Sequence, residues 1–148
     1  ELGVRPEKIL LTHTHPDHAG GLGRLDNVFR CPTWVDEMEP RPSGSRDLRI
    51  IEEGNSIILG KLKIETISTR GHTPGGVSFK VNQSVISGDA IFAGSMGRAN
   101  ASWSDLFNSV TRNLLTLPDN TRLYPGHGPA TTVGEEKKHN PFFCGKVH

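Results

Sequence analysis

The sequence predicts a mixed α/β domain of the α+β kind. Three observations predict it. Two pairs of short runs, 56–59 with 62–68 and 77–81 with 84–87, are joined by the two-residue turns Gly60-Lys61 and Asn82-Gln83 and read as hairpins. Leu106, Phe107, Val110, Leu114 and Leu117 recur at helical spacing and form one apolar stripe. Four predicted strands end in a glycine- or proline-rich loop that carries a histidine or an aspartate.

The elements follow in order. Residues 1–6 read as the end of a helix leading into a buried strand, 8–11. Residues 19–25 read as a short helix and 28–35 as a weak strand interrupted by Pro32. The stretch 36–47, with Glu-Pro-Arg-Pro-Ser-Gly in it, reads as a surface loop, either bordering a site or simply solvated. The two hairpins follow. In the strand 62–68, Leu62, Ile64 and Thr66 share one face and Lys63, Glu65 and Ile67 the other. Residues 94–101 read as a loop. Ser102 caps the next helix, with Asp105 three residues on, and Pro118-Asp119-Asn120 ends it. A short strand, 122–124, precedes Pro125-Gly126-His127-Gly128. Thr132 and Glu135 form the capping box of a last helix, 135–138.

Composition excludes several classes. The 148 residues suffice for one domain with a sizeable core. A net charge of +1 argues against a nucleic-acid or membrane surface as the main partner. No apolar run has the length of a membrane span and no signal peptide is visible, so the cytoplasm is the expected location. Cys31 and Cys144 read as free thiols in a reducing compartment.

The chemistry concentrates in His13-Thr14-His15-Pro16-Asp17-His18. Imidazole and carboxylate are ligands of zinc and its transition-series neighbours. Residues two apart in an extended loop point the same way, so His13 and His15 can grip one ion. Pro16 ends the extension, and the turn aims Asp17 and His18 at a second spot, which points to two adjacent ions. Three further strand ends deliver His72, Asp89 and His127. His139 and His148 lack that context.

The tract His13-x-His15-x-Asp17-His18, followed in order by His72, Asp89 and His127, resembles the metallo-β-lactamase superfamily nearly end to end. The pieces GHTPGG (71–76), SGDAIFAGSMGR (87–98), YPGHGP (124–129) and GEEKKHNPF (134–142) look most like its glyoxalase II-like branch, the hydroxyacylglutathione hydrolases. The resemblance implies an αββα sandwich with the metals at one edge of the sheets. It implies His13, His15 and His72 on a first ion, and Asp17, His18 and His127 on a second. Asp89 bridges them. The ions are two divalent metals, zinc first, with iron or manganese as alternatives. The implied reaction is attack of a metal-bridged hydroxide on a thioester or ester carbonyl. Asp89 holds both ions, and Asp17 is either a ligand or a proton shuttle. Arg98 falls where the branch places a basic residue against glutathione. Lys137 and Lys138 are further candidates for anionic substrate groups, and all three also read as solvated charge.

Three departures qualify the resemblance. The family's upstream strands are absent before the tract, so part of the first sheet is expected to be missing. A homo-oligomer, or a longer gene product, is expected to cover the gap. Pro129 stands where true glyoxalase II enzymes use a tyrosine for glutathione. No helical domain follows Phe143. The alternatives to a small-molecule thioesterase are an iron-dependent persulfide dioxygenase, its single iron held by His13, His72 and Asp89, and a metal-binding domain without activity of its own.

Overall fold

A computed structural model describes residues 2–52 and 54–145; the start of the predicted first helix, Glu1, and His148 lie outside them. Residues 2–8 contain no helix; the predicted one is replaced by an extended approach to β1, Ile9–Leu10. After the first ligands comes a single turn, α1 (Pro16–Ala19), started by Pro16, whose fixed φ suits the first helical position. The next helix, α2 (Leu22–Phe29), runs four residues beyond its predicted end and takes Val28 and Phe29 from the predicted strand. It stops where Arg30 turns left-handed at φ 52° and its N–H bonds the Asp26 carbonyl, just before Pro32. The strand β2 (Thr33–Asp36) begins only after that proline.

A strand outside the predicted set, β3 (Leu48–Ile51), pairs in parallel with β2, and β2 pairs in parallel with β1. These three form the first sheet. The second sheet has six strands. The predicted hairpins appear as β4 (Ser56–Leu59) with β5 (Leu62–Ser68), and β6 (Val77–Val81) with β7 (Ser84–Gly88). A small ribbon, β8 (Ile91–Phe92) with β9 (Ser95–Met96), lies where a loop was expected from Gly94 onward. Then come β10 (Arg122–Pro125) and β11 (Thr131–Thr132), and the order across the sheet is β11-β10-β7-β6-β5-β4.

Both faces of the second sheet carry a packed layer, one of them only in part. On one face Ile57, Ile64, Val77 and Phe79 pack with Ile51, Leu10 and Trp34 of the first sheet. On the other, Val85, Leu123 and Ile67 pack with Leu106, Val110, Leu114, Leu115, Val133 and Phe143. The result is the layered αββα arrangement. The first sheet reaches Phe79 but not its cross-strand neighbour Ile86, or Tyr124 beside that; both are exposed. This is the uncovered part of the first layer.

The helix α3 (Trp103–Ser109) starts at Ser102, whose hydroxyl accepts the Asp105 N–H at 3.1 Å. It continues as a π-helical turn, Val110–Leu114. That wider turn, closed by Leu115 N–H on the Val110 carbonyl, brings Leu114 and Leu115 both fully inside and leaves Leu117 at the margin. Truncating Leu106 or Leu114 to alanine is worth about 2–5 kcal/mol of lost burial and cavity. The last helix, α4 (Val133–His139), is capped by Thr132 accepting the Glu135 N–H.

Strand direction explains the placement of the loops. β5 and β7 both run antiparallel to β6, and β10 runs parallel to β7. Their C-terminal ends therefore lie at one edge of the sheet. Val77 N–H bonds the Thr12 carbonyl, which draws the loop after β1 to the same edge.

Candidate metal centre

The seven predicted donors meet at that edge in two clusters. His13, His15 and His72 form one; Asp17, His18, Asp89 and His127 form the other. Within each, one ligand atom per residue lies within 4.8 Å of the others. Asp89 stands between them. Its Oδ2 is 3.6 Å from His13 Nε2, 3.4 Å from His72 Nε2 and 3.5 Å from His127 Nε2. Its Oδ1 is 3.2 Å from His18 Nε2. Nitrogens and oxygens bound at 2.0–2.1 Å to a tetrahedral ion lie about 3.4 Å apart, so these spacings match a shared ligand shell.

The buried atoms point the same way. Nε2 of His13, His18 and His72 and Oδ1 of Asp89 are inaccessible and have no hydrogen-bond partner. Buried polar atoms are normally satisfied, so four orphans aimed at one region are lone pairs lacking a partner. A metal ion would supply it, and the donor set would fit zinc, iron or manganese.

The first cluster is oriented from behind. His72 Nδ1 donates to the Arg98 carbonyl at 2.7 Å. A carbonyl only accepts, so the proton sits on Nδ1 and the Nε2 lone pair faces the cluster. His13 Nδ1 is 3.0 Å from the Thr12 hydroxyl. Burial, followed by the neighbouring His18, lowers the His13 pKa from 6.5 to about 4 against the opposing pull of Asp89. A neutral His13 is the form that can bind metal.

The second cluster is more open. Asp17 and His127 are about half exposed, and their side chains meet at 3.0 Å. Partial desolvation pushes the Asp17 pKa up; His18, a backbone N–H and His127 together outweigh it and leave it below the usual carboxylate value. The backbone shapes this side. Gly126 N–H bonds the Gly88 carbonyl at 2.7 Å, and a Cβ on Gly126 would strike Asp89 Oδ1 and lie 2.6 Å from His18 Cε1. Only glycine lets the β10 loop pass so close.

The predicted substrate residues fare differently. The Arg98 backbone serves the site, while its exposed side chain makes no contact with either cluster. Lys137 pairs with Asp119 at 3.0 Å, and Lys138 is exposed on α4; neither lines the cleft of about 300 Å³ that opens beside His15, His72, Glu39 and Asn100. That cleft brings in Glu39, a buried carboxylate from the stretch read as a surface loop.

Residues 2–127 match the metallo-β-lactamase superfamily. The chain is 36% identical to the probable metallo-hydrolase YqgX of Bacillus subtilis, over 98% of this chain and 79% of that protein. It is 30% identical to the probable polyketide biosynthesis zinc-dependent hydrolase BaeB of Bacillus velezensis, over 97% of this chain and 68% of that one. Among solved structures, ETHE1 from Myxococcus xanthus superposes with a TM-score of 0.86 at 31% identity, over 99% of this chain and 66% of that one. TTHA1623 in a di-iron-bound form superposes with a TM-score of 0.81 at 34% identity, over 95% and 79%.

Proposed function

The chain belongs to the metallo-β-lactamase superfamily, and from that premise we propose that it is a dinuclear metal-dependent hydrolase of thioesters or esters, of the glyoxalase II-like kind. The observation that carries the reading is Asp89. One carboxylate lies within 3.6 Å of histidines from both clusters, and each cluster has three donors besides it. Two ions held there, most readily zinc, would supply an activated water with its pKa lowered towards ~7 and a Lewis acid for the carbonyl.

The chain's own residues supply the rest. His13, His15 and His72 would hold the first ion, Asp17, His18 and His127 the second, and Asp89 would reach both. A carboxylate can do this because it has two oxygens, and its charge offsets part of the two dications. Arg98 fixes the His72 tautomer through its carbonyl and keeps an exposed guanidinium for an anionic substrate group. Asp17 is open to solvent, bonded to His127 and held anionic, which suits it to pass a proton between the site and bulk water. The cleft beside His15 and His72 receives the acyl group. No cysteine is needed as nucleophile: Cys31 is buried and Cys144 bonds the Lys138 carbonyl. Both are free, which fits a reducing compartment such as the cytoplasm. No helix among the described residues is long and apolar enough to cross a membrane.

The likeness to ETHE1 favours a second reading. The bovine relative bearing that name is a mitochondrial persulfide dioxygenase, 34% identical over 95% of this chain and 58% of its own length. In that reading one iron sits on His13, His72 and Asp89. The complete second donor set supports the hydrolase instead. The experiment is to reconstitute the protein with zinc or with ferrous iron and supply S-lactoylglutathione and glutathione persulfide separately. Cleavage of the thioester to acid and thiol by the zinc form, without oxygen uptake, is the expected result. Oxygen consumption with persulfide, confined to the iron form and unaccompanied by thioester cleavage, overturns it.

A further inference from the structure

Glu39 is 4% exposed, its carboxylate is held by two threonine hydroxyls, and it lies just outside the ligand shell. One carboxylate oxygen, Oε2, accepts the Thr14 hydroxyl at 3.3 Å. The other, Oε1, accepts the Thr73 hydroxyl in a short bond. Thr14 lies between His13 and His15, and Thr73 follows His72. One side chain therefore ties together the two loops that carry all three histidines of the first cluster.

The surrounding backbone makes the tie stiff. Glu39 N–H bonds the Asp36 carbonyl at 3.2 Å, and Met38 N–H bonds Asp36 Oδ1 at 2.8 Å, closing a tight turn at the end of β2. Arg41 clamps the turn by donating to the Asp36 and Glu39 carbonyls. The turn presses on Gly75, where a Cβ would lie 2.6 Å from Asp36 Oδ1 and 2.7 Å from Glu39 N. The two loops come from different sheets, His13 and His15 following β1 and His72 following β5. The Val77 N–H on the Thr12 carbonyl already joins these segments at their base, and the Glu39 carboxylate adds the side-chain link that stands next to His15 and His72 themselves. An anionic acceptor makes stronger bonds to the two hydroxyls than a neutral one.

Resting on the metal-centre reading above, we propose that Glu39 is a positioning residue that pre-forms the first metal cluster and has no comparable effect on the second. It acts through Thr14 and Thr73 rather than as a ligand of either ion. Outer partners of this kind change metal affinity by about 10–100-fold when removed.

The test is titration of the full chain with cobalt(II), read by ligand-field absorption, with folding followed by circular dichroism. A His127→Ala background reports the first cluster, and a His15→Ala, His72→Ala background reports the second. Glu39→Ala should weaken cobalt binding about 10–100-fold in the first background and alter its spectrum, and change the second less than about threefold. Glu39→Gln keeps an oxygen that accepts from one threonine and should recover most of the loss. Should Glu39→Ala fail to fold, Thr73→Val removes one hydroxyl at constant shape and carries the same comparison. Unaltered first-cluster binding, equal weakening of both clusters, or a Gln variant no better than Ala overturns the proposal while leaving the metal-centre reading intact. Failure of the unsubstituted chain to take up cobalt removes that reading, and this proposal with it.

Discussion

His13 and His72 are held from behind, by the Thr12 hydroxyl and the Arg98 carbonyl, and both are nearly buried; Asp17 and His127 hold each other and stand half in solvent. The two clusters share Asp89, so the difference is not in the donors but in what fixes them. A pre-oriented, desolvated set costs little to organise around an ion. An exposed pair must give up water and side-chain freedom first. The first cluster should therefore be the tighter and the second the one that exchanges.

The largest expected effect lies where the clusters join. Asp89→Asn removes the only charge common to both and leaves a neutral amide at 7% exposure among four imidazoles. Metal content, measured by plasma mass spectrometry, should fall from two ions per chain towards none. Turnover should drop about a thousandfold, about 4 kcal/mol of barrier. Near-normal turnover at saturating metal would break the shared-ligand picture altogether.

Next comes the asymmetry itself. His127→Ala strips a donor from the open cluster and should leave one ion that survives dialysis against a chelator. His72→Ala strips one from the pinned cluster, and the ion that remains should be lost about tenfold or more readily, the low end of what an orienting shell contributes. Equal retention in the two variants would mean that the backing bonds do not set affinity.

These properties were unevenly legible in the sequence. The residues that cluster were, because His and Asp at strand ends carry their chemistry in the residue type. So were the hairpins β4–β5 and β6–β7, whose turns and alternation are local signals. What backs the donors was not. The Arg98 carbonyl that fixes His72 belongs to the backbone and has no residue signature, so the side chain drew attention instead. Glu39 sits among prolines and arginines that read as solvent-facing, and only contact with a loop 34 residues away makes it interior. β3 is four residues long and gains its identity from parallel pairing with β2, a partner reached through a long connection. Val28 and Phe29 favour strands by type, but α2 keeps them until the left-handed Arg30 ends it. Local chemistry names a site, whereas the shell that tunes it is tertiary.

A smaller effect sharpens the comparison on the open side. Gly126→Ala places a methyl group against Asp89 Oδ1 and His18 Cε1. It should weaken the second ion about tenfold, the cost of about 1.4 kcal/mol of displacement, and leave the first near its original affinity. Competitive chelator titrations would show it; a matched loss in both sites would place the disturbance in Asp89 rather than in the open cluster.

The smallest effect reaches the open cluster through its support. Asp17 and His18 lie on α1, which runs almost directly into α2, and α2 is tied to the loop before β3 by Asp26. That carboxylate is nearly buried and accepts from Arg46 Nε at 2.6 Å. The Arg46 bond, opposed by desolvation and helped by backbone and charge, holds the Asp26 pKa below its usual value. A depressed carboxylate pKa stabilises the fold above the unfolded value, about 3.9, and that contribution fades as pH falls through the folded value. Asp26→Asn should therefore lower the melting temperature at pH 7 and bring the variant and parent closer together as pH drops below about 4. It should also loosen the second ion about two- to threefold, while the first, anchored on β1 and β5, stays put. Melting curves over a pH series of the metal-free protein measure the first effect, and cobalt titration at neutral pH the second. A gap between variant and parent that stays constant down to pH 2 would show that the Asp26 charge contributes nothing and that shape alone holds α2.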